Sequence, residues 1–190
     1  MQACTLITTA LSRLDVGQLS VVAFGGPDGS RLLHPLDQPW TDSAAQSVLG
    51  QLHFTADNTL RDTPMLDMMR SVSGMLDGER GRAAGGGSRA ELSQLLLIVA
   101  DGHFNERAAV QRAEREATAR GGLLVVFVVL DTNEESVLEL QSVVFEGGVP
   151  VFQRYLDSFP FPYYLVLREI EHLPRLLADL LRQWLALCAA

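Results

Sequence analysis

Residues 95–131, LLLIVADGHFNERAAVQRAEREATARGGLLVVFVVLD, decide how this chain folds. The run from Leu95 to Ala100 and the run from Leu123 to Leu130 are apolar without polar alternation, the pattern of strands covered on both faces in a parallel sheet. The charged segment between them carries Ala109, Ala113 and Ala117 along one side of a helix, small enough to pack closely on a sheet, with Gly121–Gly122 as its stop. Strand, helix, strand is the βαβ unit of a doubly wound α/β fold. Both strands run into a carboxylate, Asp101 and Asp131. Ligands bind at the carboxyl edge of such sheets, because the sheet holds loops that are themselves free to vary. Aspartate before glycine is equally the residue that opens a turn or caps a helix, so both uses of Asp101 stay open on this stretch.

Working outward, residues 2–14 place Leu6, Ala10, Leu11 and Leu14 on one helical face. Leu19 to Phe24 reads as a strand ended by Gly25–Gly26, and GGPDG after it as a turn. RLLHPLDQPW reads as a short edge strand, since its prolines cannot sit in a central one. Thr41 or Asp42 caps a helix over Ala44 to Leu52. From Pro64 the spacing of Met65, Leu66, Met68, Met69, Val72, Met75 and Leu76 predicts a helix with Thr63 or Asp62 at its N-cap, its methionines in the core. Residues 77–91 read as a flexible Gly/Arg-rich loop. Tyr163 to Leu167 is a further strand, and the last amphipathic helix follows it. Together these predict parallel strands at Leu19–Phe24, Leu95–Ala100, Leu123–Leu130 and Tyr163–Leu167, with helices on both faces.

The 190 residues suit one domain, and 47% hydrophobic with 20% charged residues is a globular composition. A net charge of −8 argues against nucleic acid as a direct partner, since phosphate binding needs a basic surface. All 15 basic residues are arginine, which removes P-loop and Schiff-base lysine chemistry. Cys4 and Cys188 show no disulfide or zinc spacing, no apolar run has the length of a membrane span, and the opening residues lack the pattern of a signal peptide. These features lead us to expect an intracellular protein without a membrane partner.

His34, His53, His103 and His172 are scattered, and the sequence holds no dinucleotide fingerprint, Walker A sequence or nucleophile elbow. What remains is oxygen chemistry at the carboxyl edge: Thr63 before its helix, Asp101 and Asp131 after their strands. A hydroxyl and a carboxylate there suit a hydrated Mg²⁺, which needs few protein ligands. An N-cap threonine and a turn aspartate explain the same residues.

The order LSVVAFG, DTPMLDMM, LLLIVADG, LLVVFVVLD resembles a von Willebrand factor A domain with a metal-ion-dependent adhesion site. The tail, with FPFPYY followed by LPRLLADLLRQW, is similar to the end of the midasin family, dynein-related AAA ATPases of ribosome assembly. The resemblance implies that Asp101 is the aspartate of the third metal loop and Thr63 the threonine of the second, with Thr59 as the rival in NTLRDTP. It implies that Gly102 and His103, beside that aspartate, meet the ligand protein. It further implies Mg²⁺ as cofactor, with ubiquitin-like domains of WD-repeat assembly factors on the pre-60S particle as partners, and a nuclear location in nucleolus and nucleoplasm.

One feature departs from the family pattern: no Asp-x-Ser-x-Ser occurs anywhere in the chain. In the family that loop follows a first strand, which would lie between Leu19–Phe24 and Leu95–Ala100. The expectation is therefore an A domain spanning residues 1–190, clipped at its N-terminus, with an incomplete metal site and without the family's ATPase modules. It is a binding module rather than an enzyme. The alternatives are an A-domain subunit of a metal chelatase or cofactor-insertion system, against which the tail argues, and a small α/β hydrolase, for which a nucleophile paired with a base is lacking.

Overall fold

The computed structural model describes residues 2–14, 17–52, 64–85, 92–131 and 136–188. In chain order the elements are α1 (Gln2–Arg13), β1 (Val21–Gly26), β2 (Gly29–His34), α2 (Asp42–Gln51), α3 (Met65–Gly85), β3 (Gln94–Ala100), α4 (Arg107–Thr118), β4 (Leu123–Leu130), β5 (Gln141–Glu146), β6 (Val149–Arg154), β7 (Tyr164–Leu167) and α5 (Leu173–Cys188). Short 3₁₀ turns at Tyr155–Ser158 and Ile170–His172 flank β7.

β3, β4 and β7 form a three-stranded parallel sheet with β4 in the middle. The alternation along β4 assigns its faces. Val125, Phe127 and Val129 pack with Met65, Met68, Met69 and Val72 of α3 and Val110 of α4. Val128 turns the other way, onto Ala3 and Ile7 of α1 and Leu173, Leu177 and Leu181 of α5. Helices cover both faces, which is why β4 is apolar at every position. The result is a mixed α/β fold consistent with a von Willebrand factor A-like domain.

The strand expected at Leu19–Phe24 forms as Val21–Gly26, but it does not join the parallel sheet. The turn at Pro27–Asp28 gives β1 an antiparallel partner instead, with Gly26 opposite Gly29 and Ala23 opposite Arg31. Its side chains still reach the main core through Val22 and Phe24. β2 stops at His34, directly before Pro35, as a proline-bounded edge strand must. Thr41 is the N-cap of α2, accepting from the Ala44 amide at 3.2 Å.

The loop expected over residues 77–91 also needs correcting, because α3 continues to Gly85. Its extension is tied to the sheet: Arg80 Nε donates to Gln94 Oε1 at 2.7 Å, and Gln94 Nε2 donates to the Leu76 carbonyl at 3.0 Å. An Arg82–Glu79 pair at 2.8 Å adds a contact one turn apart. Residues 86–91 lie outside the described residues.

Candidate functional site

The carboxyl ends of β3 and β4 open on one edge, and residues 101–106 connect β3 to α4 there. Asp101 is half exposed. Its Oδ1 accepts the His103 backbone N–H at 3.0 Å, and its Oδ2 lies 3.9 Å from His103 Nδ1. The aspartate thus closes the turn, as its place before glycine allows, while its carboxylate stays open to solvent. Gly102 has φ +83°, and a Cβ there would lie 3.1 Å from Val129 Cγ1, so both backbone and space call for glycine.

A second segment holds this loop from outside. Tyr155 Oη donates to the Gly102 carbonyl at 2.8 Å, Arg107 lies 4.7 Å over the Tyr155 ring, and Arg107 donates to Ser158 Oγ at 2.7 Å. Tyr155 follows directly on the β5–β6 hairpin, so the hairpin is joined at its base to the Asp101 loop. The strand pairing places Val143 beside Phe152, and both are exposed, as is Phe145 further along the same ribbon. The hairpin was absent from the sequence reading, although Gly147–Gly148 between two apolar runs is the signal for one.

Asp131 plays a different part. Its side chain is only 2% exposed, and Ser136 Oγ donates to Oδ2 at 2.6 Å, the Val137 amide to Oδ1 at 2.9 Å, and Arg168 Nε approaches Oδ2 at 3.4 Å. Burial acts to raise its carboxyl, but the bonds from Ser136 and Val137 and the charge of Arg168 outweigh burial and hold it below the usual range. Its oxygens are committed to the chain itself.

Thr63 and its rival Thr59 lie outside the described residues, as do His53 and Asp62. Among the described residues no three His, Cys, Asp or Glu side chains gather as a metal-ligand set. Asp101 offers one open carboxylate at this edge, whereas Mg²⁺ demands near-octahedral oxygen coordination. The described residues therefore do not amount to a Mg²⁺ site; they fit at most a largely hydrated ion. Gly102 contributes backbone shape and a carbonyl already taken by Tyr155, and His103 is the partly exposed side chain beside Asp101.

No protein-family model matches the chain. Its sequence is 32% identical over 187 residues to midasin of Dictyostelium discoideum, an alignment covering 97% of this chain. It is 36% identical over 190 residues to midasin of Giardia intestinalis, again covering 97% of this chain. The chain is related to midasin. It spans only about 3 to 4% of the length of these relatives, so the likeness is to one short midasin segment. No helix among the described residues is long and apolar enough to cross a membrane.

Proposed function

We propose that this chain is a protein-binding module of a midasin-like ribosome assembly factor. In this reading it takes up ubiquitin-like domains of pre-60S assembly factors in the nucleus, at the carboxyl edge of the sheet. The likeness to a midasin segment along nearly the whole chain carries the reading. Two features of the edge support it. Asp101 presents an open carboxylate on a loop fixed by Tyr155 and Arg107. Val143, Phe145, Val149 and Phe152 of the adjoining hairpin are exposed, as at surfaces that meet another protein. A Mg²⁺ ion held by Asp101, with Thr63 or Thr59, would link an acidic residue of the partner to this edge, but weakly, since one carboxylate and one hydroxyl leave most positions to water. The chain itself is assigned no catalytic step.

Calorimetric titration of the chain with a purified ubiquitin-like domain of a WD-repeat assembly factor tests this. Weak binding that requires Mg²⁺, disappears with EDTA and is lost in Asp101→Ala is the expected result. Binding indifferent to both EDTA and Asp101→Ala would refute the metal-linked reading. Binding absent under every condition would refute the partner assignment. For location, a fluorescent fusion is expected in the nucleus, and exclusion from it would overturn that part.

A further inference from the structure

The buried stripe of α4 consists of Val110, Glu114 and Ala117, one turn apart. Two of the three are apolar, as a helix packed on a sheet requires; the third is a glutamate only 4% exposed. A carboxylate in such a place normally has a partner, because an unpaired buried charge is costly. Among the described residues Glu114 has no hydrogen bond or ion pair to its side chain, although its carboxylate oxygens are not wholly enclosed. Arg115, its neighbour in the chain, does not come within ion-pair distance of it. Burial raises its carboxyl, with Arg115 working weakly in the other direction.

Glu114 faces a cavity of about 480 Å³ between α4, the start of β4 and the segment FPFPY at residues 159–163. Gln111, Arg115 and Thr118 line the helical side, and Pro160, Pro162 and Tyr163 the other. Tyr163, 59% exposed, lines the same cavity as Glu114. The segment that builds the wall also seals the core on its inner side, through Phe159 and Phe161. The cavity borders the first residues of β4 and is thus distinct from the Asp101 loop.

We propose that this cavity is a binding site for a guanidinium group, with Glu114 as its anionic floor and Tyr163 as its stacking face. A guanidinium is planar and weakly hydrated, so it enters a partly apolar slot at less cost than an ammonium. It forms paired hydrogen bonds with a carboxylate and stacks on an aromatic ring, which matches the two groups this cavity offers. Its hydrocarbon stem has Pro160 and Pro162 to lie against. Arg115 at the same cavity repels the incoming cation.

The test is a ¹⁵N-edited NMR titration of the full chain with ethylguanidinium, N-acetyl-arginine-methylamide, butylammonium and the neutral isostere N-ethylurea. Saturable shifts confined to α4 and residues 159–163 are expected for the guanidinium compounds, weaker ones for butylammonium, and none for N-ethylurea. A tenfold preference for the arginine derivative over ethylguanidinium would assign the site to the side chain of a peptide; equal affinity would assign it to a free small cation. Glu114→Gln should weaken binding at least tenfold, Arg115→Gln should tighten it, and Asp101→Ala should leave it unchanged. No saturable shift with either guanidinium, equal binding of N-ethylurea, or undiminished affinity in Glu114→Gln would overturn the proposal. Because N-ethylurea is compared on the unaltered chain, the proposal stays testable even where a variant folds poorly.

Discussion

Asp101 and Asp131 are the same residue type at the same place in two neighbouring strands, yet one is open and the other consumed. The difference lies in what reaches each from elsewhere. Ser136 and Val137 fold back onto Asp131, and Arg168 arrives from beyond β7, a contact no local pattern announces. Asp131→Ala strands those donors and is expected to lower stability by about 3 kcal/mol, read from urea unfolding. The pH dependence follows from the direction of the shift. The folded carboxyl titrates below its unfolded value of about 3.9, so its contribution is complete above that value and disappears as pH falls through the folded one. Stability should therefore drop below about pH 4, and Asp131→Asn should flatten that drop. Gly102 yields a second residue-scale test: Gly102→Ala meets a left-handed backbone and the Val129 methyl together, with an expected loss of about 2 kcal/mol by the same measurement. That Asp101 closes a turn was readable from the Asp-Gly pair; that Tyr155 would hold the loop was not, since 53 residues separate Tyr155 from Gly102.

At the scale of elements, α3 shows where local pattern succeeds and where it stops. Met65, Met68, Met69 and Val72 recur at helical spacing and are all buried, as that spacing predicts. Met69 is wholly enclosed, so Met69→Ala is expected to cost about 3 kcal/mol, measured by urea unfolding. The end of the helix is not legible in the local sequence, because Gly78, Gly81 and the following glycine-rich residues are poor helix formers by themselves. A tertiary anchor overrides that preference: Gln94, at the start of β3, binds both Arg80 and the Leu76 carbonyl. Gln94→Leu removes the anchor and keeps the bulk. Amide exchange over residues 77–85 should then accelerate while the first half of α3 stays protected, and unchanged exchange would show that the ion pairs along the helix suffice. The β5–β6 hairpin is the opposite case, since its Gly-Gly turn was legible in the sequence but its outward apolar face is meaningful only beside the Asp101 loop.

For the whole molecule, the two long apolar runs were enough to place β3 beside β4 in parallel, because only a sheet covered on both faces tolerates such strands. They could not place β1, since pairing depends on which backbone edge comes within reach, and the short turn to β2 supplied one first. Among the described residues β3 is bonded to β4 alone, so its other edge is open, while Val22 and Phe24 of β1 pack on the same core without a ladder to β3. An open edge of this length favours uptake of a further strand. If an added strand carried Asp-x-Ser-x-Ser at its carboxyl end and entered parallel to β3, it would bring three more oxygen side chains to the edge where Asp101 lies. A fusion placing such a strand before Gln2 is therefore expected to melt at a higher temperature than the present chain and to bind both Mg²⁺ and a ubiquitin-like domain more tightly. Loss of a single outer-shell partner commonly weakens a metal site about 10- to 100-fold, so the gain from direct ligands should be at least of that order. Calorimetric titrations of the two chains side by side, with Mg²⁺ alone and then with the ubiquitin-like domain, make the comparison. Equal affinities together with a raised melting temperature would mean that the strand pairs with β3 but the edge does not bind metal, and equal melting temperatures would mean that β3 does not accept the strand at all.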